Sequence, residues 1–212
     1  MAARAVRHWQ WIAAIVGAAV LAFVAILVVP ILTHENQGLS GQEAVGEPFP
    51  LTVTADGDDG RTRTLTVEAE ASGDLDTSAL AAGYRIVVTG AGYDSSQGVY
   101  VAICAIPDDP ATKPGPCLGG VPSQEEQEQV DAGTVQFAPS NWVNDDWAWR
   151  LFGARAFDDV EKGTFTAYLE VPSPVGEGVD CRSDACGIFT RNDHTALTDR
   201  VQDVFIPVAF TP

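Results

Sequence analysis

The chain has 212 residues, a formal net charge of −17 and four cysteines. That length fits one ordinary domain plus an appendage, or one large β domain. An acidic excess of this size repels phosphate backbones and disfavours direct nucleic-acid binding.

The appendage comes first. Trp11 to Leu32 are 22 residues without a charge, rich in Ala, Val, Ile and Leu. As a helix they reach roughly 33 Å, enough for a hydrocarbon core about 30 Å thick. Arg4 and Arg7 precede the segment and are the only formal charges before Glu35, so the rest of the chain carries −19. The positive-inside bias therefore predicts residues 1–10 in the cytoplasm, a transmembrane anchor over 11–32 and everything after it outside. Trp9 and Trp11 stand where an interfacial aromatic belt belongs. A cleaved signal peptide usually has a shorter apolar region, about 7–15 residues, ended by a small-residue cleavage site. Pro30-Ile31-Leu32-Thr33-His34 offers no such site, and the main domain is extracytoplasmic under either reading.

Residues 33–48 are polar and aperiodic, which predicts a linker, and residues 49–212 form the extracytoplasmic domain. Phe49–Ala55 and Thr62–Glu70 alternate apolar and polar positions around the turn-rich Asp56-Gly57-Asp58-Asp59-Gly60, a hairpin pattern. That turn lacks the ligand spacing and closing Glu of an EF-hand. Tyr84–Thr89, Val99–Ala105, Thr164–Val171, Gly187–Thr190 and Val204–Phe210 complete seven predicted strands with no long helix among them. The fold class is all-β, a two-sheet sandwich.

The cysteines allow three connectivities, and adjacency favours Cys104–Cys117 and Cys181–Cys186. An even count in an exported domain reads as disulfides. Metal ligation is not expected, because the spacing is wrong and His194 is the only histidine well inside the domain.

From Leu118 to Lys162 the rhythm breaks. This long acidic stretch includes the Glu/Gln-rich run Ser123–Gln129, then Trp142, Trp147, Trp149 and Phe152 among Asn and Asp residues. Loops of that length inside a compact domain are usually functional or disordered, and the tryptophans argue against disorder. Alternation at 147 and 149 puts both rings on the buried face of a strand; otherwise they line an open pocket.

The elements Ser78-Ala79-Leu80 to Gly83, Val87–Tyr93 with its G-x-G, and Tyr100–Cys104 resemble the first half of neocarzinostatin-type apoproteins. Phe165–Val171, Asp180-Cys181 with Cys186 five residues on, and Val204–Phe210 resemble the second half in the same order, so the resemblance covers about 75–210. It implies a seven-stranded immunoglobulin-like sandwich with both short disulfides. It also implies a cleft in which antibiotic-carrying relatives hold an apolar chromophore without transforming it. Similar domains also occur in membrane-tethered surface proteins. Three departures from the carriers stand out. The segment Pro172–Asp180 is short, Ile106 replaces an aromatic residue two places after the first cysteine, and Arg191 stands where a chromophore-contacting serine aligns.

No catalytic set is evident. His194 follows Asp193 and lies near Asp199, but no serine sits in a nucleophile elbow. The segment Arg191–Arg200 reads as a hydrogen-bonded, salt-bridged loop. The expectation is a non-enzymatic, membrane-anchored binding protein without a cofactor, sheltering an apolar small molecule against Trp142, Trp147, Trp149 and Phe152, with Ile106 and Phe189 beneath and Arg191 at the mouth. The alternative is a cell-surface module that meets an envelope protein through its acidic loop. A haem- or lipid-handling role has only His194 to support it.

Overall fold

The computed structural model describes residues 2–43, 46–71, 73–120 and 136–211, so the Glu/Gln run over 123–129 lies outside the described residues. The chain divides into two compact units, Met1–Glu35 and Asn36–Pro212. The first is helix α1 (Ala2–Thr33), in which Trp9–Thr33 is long and apolar enough to cross a membrane.

The second unit is mostly β. One antiparallel sheet has the order β1-β2-β3-β6 and the other β10-β9-β4-β5. Their strands are β1 (Thr52–Asp56), β2 (Thr62–Ala69), β3 (Arg85–Ala91), β4 (Val99–Ala105), β5 (Ser140–Val143), β6 (Phe165–Glu170), β9 (Cys186–Asn192) and β10 (Phe205–Val208). A small ribbon pairs β7 (Val175–Gly176) with β8 (Val179–Asp180). The described residues therefore hold ten strands, where alternation predicts seven. The additions are β5 and the ribbon, all too short to show a period.

Alternation explains the rest. In β2, Leu65 and Val67 point inward, and in β3 Ile86 and Val88 do; Val99, Val101 and Ile103 of β4 with Ile188 and Ile206 meet them in one core shared by both sheets. Thr52 and Thr66 face each other across the outer surface of the β1–β2 hairpin, their hydroxyls 3.0 Å apart. Gly90 is required where it stands, because a Cβ there would lie 2.2 Å from the Phe165 ring. The acidic turn has a structural use: Asp59 holds the fully buried Arg63 through two hydrogen bonds of 2.9 and 2.6 Å.

Both disulfides pair as adjacency favours, Cys104–Cys117 and Cys181–Cys186. Among the described residues, the unit Asn36–Pro212 carries both core clusters and both crosslinks, which is what a domain able to fold alone requires. With Cys104 and Cys117 both replaced by alanine, its stability falls by about 3 kcal/mol, the chain-entropy value for such a loop. Urea unfolding of residues 36–212 measures this, and a loss below about 1 kcal/mol would contradict it.

The segment expected to be a linker is bound to this unit over residues 36–42. Asn36 Nδ2 donates to the Thr198 carbonyl (2.7 Å), and the Arg200 N–H donates to the Gly38 carbonyl (3.2 Å). Gln42 pairs with the Phe205 backbone in both directions, its Nε2 donating to the carbonyl (2.7 Å) and its Oε1 accepting from the N–H (2.8 Å). We call this segment the strap.

Candidate functional site

Residues of the β10-β9-β4-β5 sheet that do not face the core face outward, and the register aligns them in rows. Trp142, Tyr100 and Arg191 make one row; Ser140, Ala102, Phe189 and Phe205 make the next. Ala102, Cys104, Cys117 and Phe189 form a second apolar cluster on this face, with Ile106 and Phe205 against it. The seven candidate residues gather around this face but fall into two groups.

The first group is aromatic. Trp142 sits on β5, only 8% exposed. Its ring lies 5.9 Å from Tyr100, 6.0 Å from Trp149 and 5.3 Å from His194, centroid to centroid. Trp149 meets His194 edge-on at 4.6 Å and Phe152 at 6.2 Å. The indole Nε1 of Trp142 donates to Asp193 Oδ2 (2.8 Å), and Asn144 Nδ2 donates to the same oxygen (2.9 Å). Asp193 Oδ1 accepts from the Thr195 backbone N–H (2.8 Å) and hydroxyl (2.5 Å). The Asp193 carboxylate is therefore fully used. His194 turns instead to Tyr100, with Nδ1 3.0 Å from the phenol oxygen. Burial, with the Asp193 charge nearby, pushes the Tyr100 hydroxyl up to about 12. These rings fill the space between them, so Trp142 serves as packing.

A strand through Trp147 and Trp149 is not what the chain forms. Asp146 caps a single helical turn, α2 (Trp147–Arg150), accepting from the Ala148 N–H at 2.8 Å. The turn puts Ala148 inward and leaves Trp149 half-buried. Trp147, Leu151 and Phe152 lie on the surface at 56%, 67% and 50% exposure. A helical turn separates neighbours by about 100°, so 147 and 149 cannot share a face as alternate strand residues do. An open depression beside Trp147 is lined by Arg150, Arg155, Asp158 and Tyr168 among others.

The second group is concave. Ile106 and Phe189 line a cleft of about 330 Å³ together with Phe205, Pro107, Pro110 and Pro114. Phe189 and Phe205 stack with centroids 4.7 Å apart and planes 24° from parallel. The strap supplies another wall through Ser40 and Gln42, with Glu43 just after it. Asp203 lines the same cleft and pairs through Oδ2 with Arg200 Nη1 at 2.7 Å. Arg191 is not at the mouth of the tryptophan group. Its guanidinium lies over the Tyr100 ring at 5.7 Å, and Nη1 donates to the Pro114 carbonyl at 3.0 Å.

Sequence reasoning missed Phe205, Asp203, Tyr100 and the strap. Register carries the signal for Tyr100 and Phe205, because each faces a residue already singled out. Asp203 and Gln42 show none, being isolated polar residues in aperiodic segments. Among the described residues, no group of three or more His, Cys, Asp or Glu side chains is placed to hold a metal ion.

No family model matches this chain, and no curated protein does. Among solved structures, macromomycin is matched with a TM-score of 0.35 and 19% identity, over 69% of this chain and 99% of that one.

Proposed function

We propose that this protein is a non-enzymatic binding protein, held to the cell membrane by α1, whose extracytoplasmic immunoglobulin-like domain shelters an apolar small molecule. The observation that carries the reading is the cleft walled by Ile106, Phe189, Phe205 and three prolines. Its volume, about 330 Å³, lies at the lower end of small-molecule sites, and its lining sets apolar rings beside Ser40, Gln42, Thr112 and the carboxylates of Glu43, Asp108 and Asp203. The order of motifs over 75–210 supports a kinship with neocarzinostatin-type carriers, and the charge asymmetry around α1 supports an N-terminus in the cytoplasm. The protein's part is to bind and protect; Asp193, the carboxylate next to His194 in the chain, is engaged by Trp142, Asn144 and Thr195 instead.

A titration of residues 36–212 with 1-aminoanthracene tests this. Saturable binding is expected, with a loss of at least tenfold in Ile106→Trp, which fills the cleft. Absence of binding, or binding indifferent to that change, contradicts the reading. The second reading is a surface module for an envelope protein, favoured by the exposed Trp147, Leu151 and Phe152. Probe binding that ignores Ile106→Trp but is lost in Phe152→Ser would move the site to that patch.

A further inference from the structure

The cleft described above has one polar feature that its own protein neighbours do not satisfy. Asp203 is 6% exposed, and its Oδ1 is buried without a partner in hydrogen-bond geometry. The other oxygen is taken by Arg200. The Asn192 backbone N–H approaches the carboxylate as a weaker donor and Arg191 acts on its charge, both less than Arg200 does, and neither closes a hydrogen bond of good geometry to Oδ1. Lys113 feels its charge too, while Glu43 and Asp108 bring further carboxylates to the cleft lining. Buried polar groups in folded proteins nearly always find a partner, and leaving one unpaired costs about 1–3 kcal/mol. Ile106, Phe189 and Phe205 offer only carbon side chains to the cleft, and Pro107, Pro110 and Pro114 lack even a backbone N–H; Ser40, Gln42 and Thr112 line it too and carry donors, but none is hydrogen-bonded to this oxygen.

We propose that Asp203 Oδ1 is the polar anchor of the cleft, accepting a hydrogen bond from a hydroxyl or amine on a ring-bearing apolar ligand. The inference rests on the binding reading above and names the ligand chemistry for that site. The stacked Phe189 and Phe205 side chains and the flat proline rings suit a planar ring system. The ring is held by apolar contact, and the donor fixes its orientation. A molecule of the same shape without the donor leaves Oδ1 unpaired and gains only the apolar part of the binding energy.

The experiment compares 2-naphthol with its methyl ether, which keeps the ring and the oxygen and lacks the donor. Dissociation constants are measured on residues 36–212 at pH 7.5 by calorimetry. The expected result is at least tenfold tighter binding of 2-naphthol, the scale of a hydrogen bond to a charged acceptor. In Asp203→Ala the preference disappears, and Ile106→Trp loses both compounds. Equal binding of the two compounds to the wild-type protein would overturn the anchor while leaving the cleft reading intact. No binding of either would overturn both. Because the wild-type preference decides by itself, a poorly folding Asp203→Ala does not obscure the outcome.

Discussion

Asp193→Ala lowers the stability of the β-rich unit by about 4 kcal/mol, the largest effect expected of a single polar substitution in this fold. The carboxylate is fully buried and accepts hydrogen bonds from Trp142, Asn144 and both donors of Thr195. Removing it strands the Trp142 and Asn144 donors in the buried interior, while those of Thr195 can turn to water. Relief from burying a charge offsets part of the loss, which keeps the figure below the sum of the separate bonds. Space for the carboxylate comes from Gly98, where a Cβ would stand 1.9 Å from Asp193 Oδ2. The neighbouring backbone is tied as well, since the Asp193 N–H donates to the Gly98 carbonyl at 2.8 Å. Asp193→Asn keeps one carbonyl acceptor and loses about half as much. Urea unfolding gives the free energies, and tryptophan emission reports whether β5 stays on the sheet. A loss under about 1 kcal/mol for the alanine variant would show that Trp142 and Asn144 find other partners.

The second large effect has the opposite sign. Burial pushes the Asp203 carboxyl up to about 6 against an ordinary 3.8, although Arg200 and, more weakly, Arg191 favour the anion. Between those two values the folded protein holds a proton that the unfolded chain has released. Stability therefore falls as the pH rises from about 4 to about 6 and stays reduced above that. Two pKa units at about 1.4 kcal/mol each put the cost near 3 kcal/mol at neutral pH. Asp203→Asn removes the titration while its amide oxygen still accepts from Arg200. The variant is expected to be more stable than wild type by up to about 3 kcal/mol at pH 7.5 and equal to it at pH 4. Thermal or urea unfolding across that range checks both arms. A wild-type profile that rises through this window, or a variant less stable at pH 7.5, would contradict the assignment.

The strands of the β1-β2-β3-β6 sheet are legible because each has one wetter face and one dry face, whereas β4 and β9, buried on both faces, show as apolar runs. Val53 and Ala55, Leu65 and Val67, and Ile86 and Val88 mark the dry side at every second position. β5 was hidden for the converse reason. Ser140, Asn141, Trp142 and Val143 are all buried, so the period of two disappears. α2 is a single turn, shorter than the helical period can register. The tryptophans were visible as a group, but their division into packing and surface depends on that turn. The cleft was half visible: Ile106 and Phe189 were in hand, whereas Phe205 follows from cross-strand register and Asp203 from the fold of the segment before β10. The strap has the sequence of a linker because polar side chains bind it to backbone groups, and such contacts leave no hydrophobic pattern.

The strap also has a mechanical side. In the chain it lies directly between α1 and the sheets, so tension drawn from the N-terminus arrives there before it loads any strand pair. Its attachments at Asn36, Gly38 and Gln42 follow one another in sequence, and a pull from that end meets them one at a time. Hydrogen bonds loaded in succession yield at lower force than a ladder sheared as a block. Peeling as far as Gln42 removes a wall of the cleft while leaving both disulfides and the shared core untouched. Tension applied at the N-terminus would thus open the cleft before it unfolds the sheets.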